Sequence, residues 1–395
     1  MIKHADRIDR IELSGIRKIN ETALQMEREG AKIIHFEIGR PDFDTPQYIK
    51  DEAIRSLQAG DVCYTSNLGK DALRTAVAEY LNNRIHTHYT GKNILIAVGL
   101  SEAIYDLFFT LLNEGDEILV PDPAWMNYIN IPKIIGAKAV PYALREANGF
   151  QIDPDEIESL ITDKTKAILI NTPGNPTGGV AEKAVLQRIT DIAIEKDLLV
   201  LTDEIYERLI YEGEHVSIAS LPDMEERTIV LNGFSKSYAM TGWRLGYMAG
   251  PEEWVGLVNR LHQNNVTCAP SFVQQAGIIA LKNETTEVED MVAEYKRRRD
   301  YIVDYFKDDP NVHCIKPHGT FYILFNISKL PVSDTDIIKY MLMKKHVAVV
   351  YGSVFGNYGG DYIRLSFASS LEDIKEGCKR LKEGFQELAD GASID

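Results

Sequence analysis

Cysteine is scarce in this sequence, and positive charge is outnumbered. Only four cysteines occur in 395 residues, Cys63, Cys268, Cys314 and Cys378, without CxxC spacing or a nearby histidine pattern. That argues against a disulfide framework or a zinc motif and leads us to expect a reducing cytoplasm. Lys and Arg number 43 against 59 Asp and Glu, a net charge of −16, so neither nucleic acid nor an anionic membrane is expected as a partner. Long apolar runs are missing too. No stretch approaches the ~18 residues of a membrane span, and the charged segment Met1–Arg10 has no signal-peptide core. There is no G-x-G-x-x-G fingerprint, no Walker-type phosphate loop, no repeat and no low-complexity tract.

What is present fits a soluble globular protein, 45% hydrophobic and 26% charged. The chain is too long for one ordinary core, which predicts a large and a small domain. From about Asn93 to Gly250 short apolar strands alternate with helical segments. Asn93–Val98, Glu117–Val120, Lys138–Tyr142, Ala167–Asn171, Leu198–Thr202, Thr228–Leu231 and Arg244–Ala249 read as strands; Ser101–Leu112 and Ala181–Glu195 read as helices. That alternation predicts an α/β fold, with a mostly parallel seven-stranded sheet covered by helices on both faces. Ile16–Glu29 reads as a helix. Beyond Val288 come a helix at Val292–Phe306, strands near Thr320–Asn326, Val347–Val350 and Tyr362–Phe367, and a short helix. We therefore expect a large domain at 48–287 and a smaller α+β domain from 1–47 and 288–395. The basic run Lys296-Arg297-Arg298-Arg299 reads as a solvated helix face opposite Tyr295, Ile302 and Phe306.

Chemistry-bearing residues fall repeatedly at strand ends, where open α/β sheets bind ligands. Lys236, in Asn232-Gly-Phe-Ser-Lys-Ser-Tyr-Ala-Met-Thr-Gly-Trp-Arg-Leu-Gly-Tyr247, lies between two apolar strands. Desolvation there lowers an amine's pKa and makes it a nucleophile suited to a Schiff base. Arg244, eight residues on, is a fixed charge able to grip a phosphate. Asp203, in Leu201-Thr-Asp-Glu-Ile-Tyr206, ends an apolar strand, placed to pair with a pyridinium or simply to cap a helix. Gly99-Leu100-Ser101 joins a strand to a helix N-terminus, a place for an anion. Arg364 is the lone charge in Tyr362-Ile-Arg-Leu-Ser-Phe367, and its fork fits a carboxylate. Asn171-Thr-Pro-Gly-Asn-Pro-Thr-Gly178 marks a tight loop.

Together these motifs, in order from about Ile33 to Phe367, resemble the class I aminotransferases of the aspartate aminotransferase family, enzymes of pyridoxal phosphate (PLP) fold type I. The resemblance implies PLP bound covalently through Lys236, with its ring nitrogen on Asp203 and its 3′ oxygen held by Asn175 and Tyr206. Its phosphate would lie against Gly99, Leu100, Ser101, Ser235 and Arg244. Trp125, in Pro121-Asp-Pro-Ala-Trp125, would stack on the ring. Arg364, Asn175, Gly39 and Trp125 would surround the substrate. Tyr64 matches a tyrosine that reaches the neighbouring subunit's cofactor, which implies a homodimer. The implied activity is transfer of an amino group from an L-amino acid to a 2-oxo acid, 2-oxoglutarate being the expected acceptor.

Three positions depart from the family pattern. Gly233 stands where many relatives have a phosphate-binding serine, Arg40 where many have glutamate, and Tyr351 where proline is common. Arg40 inclines the expected donor towards aspartate-type substrates, with aromatic donors as the alternative; its other reading is an ion pair with Asp42 or Asp44. Two rival functions share the scaffold: a carbon–sulfur β-lyase or γ-eliminating synthase, and a PLP-sensing transcription factor. The Ala-Met-Thr-Gly-Trp-Arg run after Lys236 favours transamination. The acidic charge and the short segment before Gly39 count against a regulator.

Overall fold

The computed structural model describes residues 2–11, 13, 15–283 and 286–394. In chain order its strands are β1 (Ile34–His35), β2 (Ile94–Ala97), β3 (Glu117–Asp122), β4 (Lys138–Ala143), β5 (Thr165–Asn171), β6 (Leu199–Asp203) and β7 (Thr228–Gly233). There follow β8 (Gly246–Ala249), β9 (His313–Ile315), β10 (Tyr322–Asn326), β11 (Val347–Ala348), β12 (Val350–Tyr351) and β13 (Tyr362–Ser366). Strands β2 to β8 form one sheet in the order β2-β8-β7-β6-β5-β3-β4. Only β8 runs against its neighbours; β7, β6, β5, β3 and β4 pair in parallel. All seven expected strands form, giving a PLP-type α/β architecture.

The near-continuous apolar character of these strands follows from burial on both faces. Ile118 and Val120 point into one core, Leu119 into the other; Ala167 and Leu169 likewise oppose Ile168 and Ile170. Helices Leu100–Leu111 and Glu252–Asn265 supply residues to the first core, and helix Lys183–Glu195 to the second. Helices Asp71–Ile85 and Ser271–Lys282 were not expected. In the first, Leu73, Ala76, Val77, Leu81 and Ile85 do share one side, but Arg74 and Arg84 fall on that side too; in the second the buried residues, among them Val273, Ala276, Gly277, Ile278 and Ala280, are spread round the helix.

A second, antiparallel sheet has the order β12-β13-β10-β9. Beside it β1 pairs in parallel with β11, Ile34 opposite Val347. The expected strand Val347–Val350 is thus two short strands serving different sheets. The expected start of β8 at Arg244 also shifts. Thr241–Trp243 makes a 3-10 turn and Arg244 takes a left-handed backbone, φ 54°, so pairing begins at Gly246.

The solvated-face expectation for Lys296–Arg299 is wrong for half of it. Lys296 and Arg297 are exposed, but Arg298 and Arg299 are buried in helix Glu287–Phe306. Arg298 pairs with Asp42 at 2.8 Å and Glu294 at 2.8 Å. Arg299 pairs with Asp300 and Glu212, donates to the Pro317 carbonyl and covers the Tyr211 ring. Four consecutive residues must sweep round a helix, so two of them face inward and find carboxylates there.

Candidate active site

The loops leaving the ends of β2, β3, β5, β6 and β7 converge on a cavity of about 460 Å³. It is lined by Gly39, Leu100, Ser101, Trp125, Asn175, Asp203, Tyr206, Ser235, Lys236, Arg244 and Arg364, all expected from sequence. Two expected residues are not on its wall. Gly99 lies just beneath it, with the Arg244 guanidinium packed where a Cβ would project. Tyr64 is 87% exposed and stands apart from it.

Lys236 leaves the end of β7 through Phe234, which is buried and anchors the turn. Its Nζ donates to the Gly39 carbonyl at 2.6 Å and lies 5.7 Å from the Tyr206 ring centre and 5.6 Å from that of Phe321. Burial, then the positive charges of Arg364 and Arg244, push the amine down to about 8, opposed by Asp203. A useful fraction is therefore an unprotonated nucleophile near neutral pH.

Asp203 is buried at the end of β6. Oδ2 accepts the Tyr128 hydroxyl at 2.7 Å and Oδ1 the Ile205 N–H at 3.1 Å. Burial pushes this carboxyl up to about 6, the two hydrogen bonds opposing it. Among the described residues no Lys, Arg or His pairs with it. Tyr206 meets the Tyr322 hydroxyl at 3.0 Å. That hydroxyl also occupies the space a side chain on Gly39 would need, so only glycine fits there.

Arg364, central in β13, is only 2% exposed. Nη2 donates to the Glu37 carbonyl at 2.7 Å, Nη1 to Asn175 Oδ1 at 3.3 Å, and Nε has no partner among the described residues. Tyr322 and Phe355 flank the guanidinium at 4.4 Å and 4.8 Å. No salt bridge to Arg364 forms among the described residues. Such a buried cation calls for an anion from outside. Asn175 is itself held by its N–H, which donates to Asn171 Oδ1 at 2.9 Å.

At the other end, Leu100 and Ser101 open helix Leu100–Leu111 with Gly99 at φ 80° as its cap. Ser235 and the exposed Arg244 complete this corner, and Arg244 Nη1 donates to the Thr241 carbonyl at 3.0 Å. Trp125 stands edge-on to Tyr128, centroids 5.5 Å apart. Gly233 explains its departure: a Cβ there would lie 2.8 Å from Gly246 Cα across the β7–β8 pair. Arg40 is exposed at the cavity wall, and its suggested partners are engaged elsewhere, Asp42 with Arg298 and Asp44 with Lys50.

Sequence reasoning missed Tyr128, Tyr322 and Glu37. Tyr322 sits in an aromatic strand that reads as core. Glu37 left a signal, a lone acid in Ile34-His-Phe-Glu-Ile38 beside Gly39. It is fully buried; Oε1 accepts from Asn20 at 2.9 Å and meets His35 Nδ1 at 2.8 Å, while Oε2 has no partner among the described residues.

Comparison with known proteins places this geometry. The family profile "Aminotransferase class I and II" matches residues 31–381. The chain is 39% identical to an aspartate aminotransferase of Musicola paradisiaca, over 97% of this chain and 96% of that one. It is also 39% identical to the aromatic-amino-acid aminotransferase 2 of Thermococcus litoralis, over 97% and 98%. The solved alanine aminotransferase of Pyrococcus furiosus superposes with a TM-score of 0.93 at 34% identity, covering 98% of this chain and 100% of that one. Sequence motifs, fold and these relatives agree: the chain belongs to the class I and II aminotransferases, enzymes of the PLP-dependent type I fold.

Proposed function

We propose that this chain binds PLP and moves an amino group from an L-amino acid to a 2-oxo acid, with 2-oxoglutarate as acceptor. One observation carries the reading: an amine held near pKa 8, a buried acid with no base and a buried arginine with no acid share one cavity. That set fits PLP, which when bound supplies an electron sink for charge developing at the substrate's Cα. Asp203 would hold a proton on the ring nitrogen. Leu100, Ser101, Ser235 and Arg244 would take the phosphate, Trp125 the ring face, and Tyr206 and Asn175 the 3′ oxygen. Arg364 and Asn175 would fix the α-carboxylate, with Gly39 allowing close backbone approach. Lys236 Nζ would carry the proton between the substrate's Cα and the cofactor's C4′ carbon.

Arg40, without an ion pair among the described residues, supports capture of dicarboxylates such as aspartate, since an extra cation at the wall raises the local concentration of anions. Aromatic donors remain the alternative. A second reading rests on Glu37, whose free buried oxygen favours donors with a hydrogen-bond donor in the side chain. The test is 2-oxo acid formation from aspartate, phenylalanine and glutamine, with and without 2-oxoglutarate, in wild type, Lys236→Ala and Arg40→Glu. Acceptor-dependent turnover lost in Lys236→Ala supports transamination. Pyruvate and ammonia without acceptor would mean a lyase, and no turnover at all a regulator. A salt-sensitive loss in Arg40→Glu confined to aspartate supports steering; a glutamine preference supports Glu37.

We also read 48–287 as the large domain and 1–47 with 288–395 as the small one, because all seven strands of the main sheet lie in the former. Exposed Ile54, Leu57, Val62 and Tyr64 support a homodimer in which Tyr64 serves the neighbouring site. No helix among the described residues is long and apolar enough to cross a membrane; the cysteine usage supports a cytoplasmic setting.

A further inference from the structure

Directly beneath the Gly99–Ser101 corner lies a buried cluster that the functional reading does not use. Helix Leu100–Leu111 carries Glu102 and, one turn on, Asp106; His262 reaches them from helix Glu252–Asn265. His262 and Asp106 are fully buried. His262 Nδ1 lies 2.8 Å from Glu102 Oε1 and 3.3 Å from Asp106 Oδ2. Asn265 donates to Asp106 Oδ1 at 3.1 Å. Glu102 Oε2 accepts the Val98 N–H at 2.9 Å, so its carboxylate spans the turn that leads through Gly99 into the helix. Among the described residues His262 Nε2 has no partner, so there the ring is fixed through Nδ1.

This arrangement joins two opposed requirements. The path through Gly99 must be rigid for the first amides of the helix to converge on an anion. Glu102 provides that rigidity, but it and Asp106 place two negative charges in the first two turns behind the same amides. Like charges in a dry region repel strongly. An imidazolium between them cancels one charge and holds Glu102 in its bridging rotamer. Burial alone would lower the imidazole's pKa, yet the bonds to Asp106 and Glu102 outweigh it and push it up to about 9, so the ring is charged at neutral pH.

We propose that His262 is a positioning residue for the phosphate end of the site, orienting Glu102 beneath the Gly99 turn and offsetting its charge. The inference rests on the reading that this corner takes the PLP phosphate. His262 touches neither cofactor nor substrate, so its effect is selective for ligands that carry the phosphate.

The experiment compares equilibrium binding of PLP and of pyridoxal, which lacks the phosphate, to the full-length protein, with inorganic phosphate as competitor. Glutamine at 262 keeps a donor and loses the charge. His262→Gln is expected to weaken PLP and inorganic phosphate about tenfold or more and to leave pyridoxal unchanged. Adding Glu102→Gln removes the uncompensated charge and is expected to restore the preference for PLP. Should the single variant fold poorly, the double variant decides: a PLP-to-pyridoxal ratio near wild type supports the proposal. Equal losses for PLP and pyridoxal, no loss for either, or a double variant as unselective as the single one would overturn it. Wild-type protein that binds no PLP would instead sink the functional reading, and this inference with it.

Discussion

Asp203 makes a cost that can be measured apart from catalysis. A buried carboxyl held up to about 6, against an ordinary value near 4, binds its proton more tightly folded than unfolded. Stability therefore falls as pH rises from about 4 through 6, by on the order of 3 kcal/mol once the group is ionised. In protein stripped of PLP, Asp203→Asn should melt higher than wild type at pH 7, and the gap should close towards pH 4. Calorimetry across that range checks it; a gap independent of pH would mean that Asp203 carries no such penalty. At Arg364 the opposite trade holds. Lysine keeps a charge but loses the planar fork, and each charge-assisted hydrogen bond is worth about 1.5–3 kcal/mol. Arg364→Lys should lower kcat/KM by roughly tenfold to a hundredfold for every donor, whatever its side chain. A loss confined to acidic donors would place Arg364 on the side chain instead of the α-carboxylate. Both residues were legible in sequence, Arg364 as the lone charge in an apolar strand and Asp203 as the carboxylate that ends one. Glu37 left a signal of the same kind; Tyr128, Tyr322 and His262 did not, because their meaning lies in partners far along the chain, 160 residues separating His262 from Glu102.

Among elements, the β7–β8 pair shows how backbone contact limits chemistry. Gly233 and Gly246 face each other in register, and the missing side chain at 233 lets the strands close. Gly233→Ser supplies the family's frequent hydroxyl, yet overpacking there should cost about 1–3 kcal/mol and lower Tm without tightening PLP. A serine variant of unchanged Tm with better PLP affinity would show that the strands can separate at no cost. The seven strands themselves were readable, since burial on both faces leaves a continuous apolar run. Where side chains were amphipathic in three dimensions only, reading failed. Arg298 and Arg299 looked solvated because Asp42 and Glu212 lie in distant segments; the helix around Leu73 has two arginines on its apolar side, and that around Val273 is buried all round.

For the whole molecule, Tyr64 sets a test of shared sites. If each site takes Lys236 from one chain and Tyr64 from its partner, mixing inactive Lys236→Ala with impaired Tyr64→Ala should recover activity, because one site in each mixed dimer is intact. Activity no greater than the sum of the two separate variants would assign Tyr64 to its own chain or to no site. The pairing of β1 with β11 has a consequence for how such a molecule is made. Ile34 bonds opposite Val347, Phe36 exchanges hydrogen bonds with Ala348 and Ser366, and the Glu37 carbonyl waits for Arg364. On a ribosome adding ~5–20 residues per second, that first segment emerges roughly 15–60 s before its partners. The main sheet has all its strands by Ala249, so the growing chain can build the Gly99–Ser101 corner and the turn that carries Lys236 long before it acquires Arg364. Throughout that interval Ile34 and Phe36 have no strand to cover them. The apolar residues of β1 thus wait for their native cover until β11 emerges, and the cavity wall is complete only once Arg364 in β13 has been added.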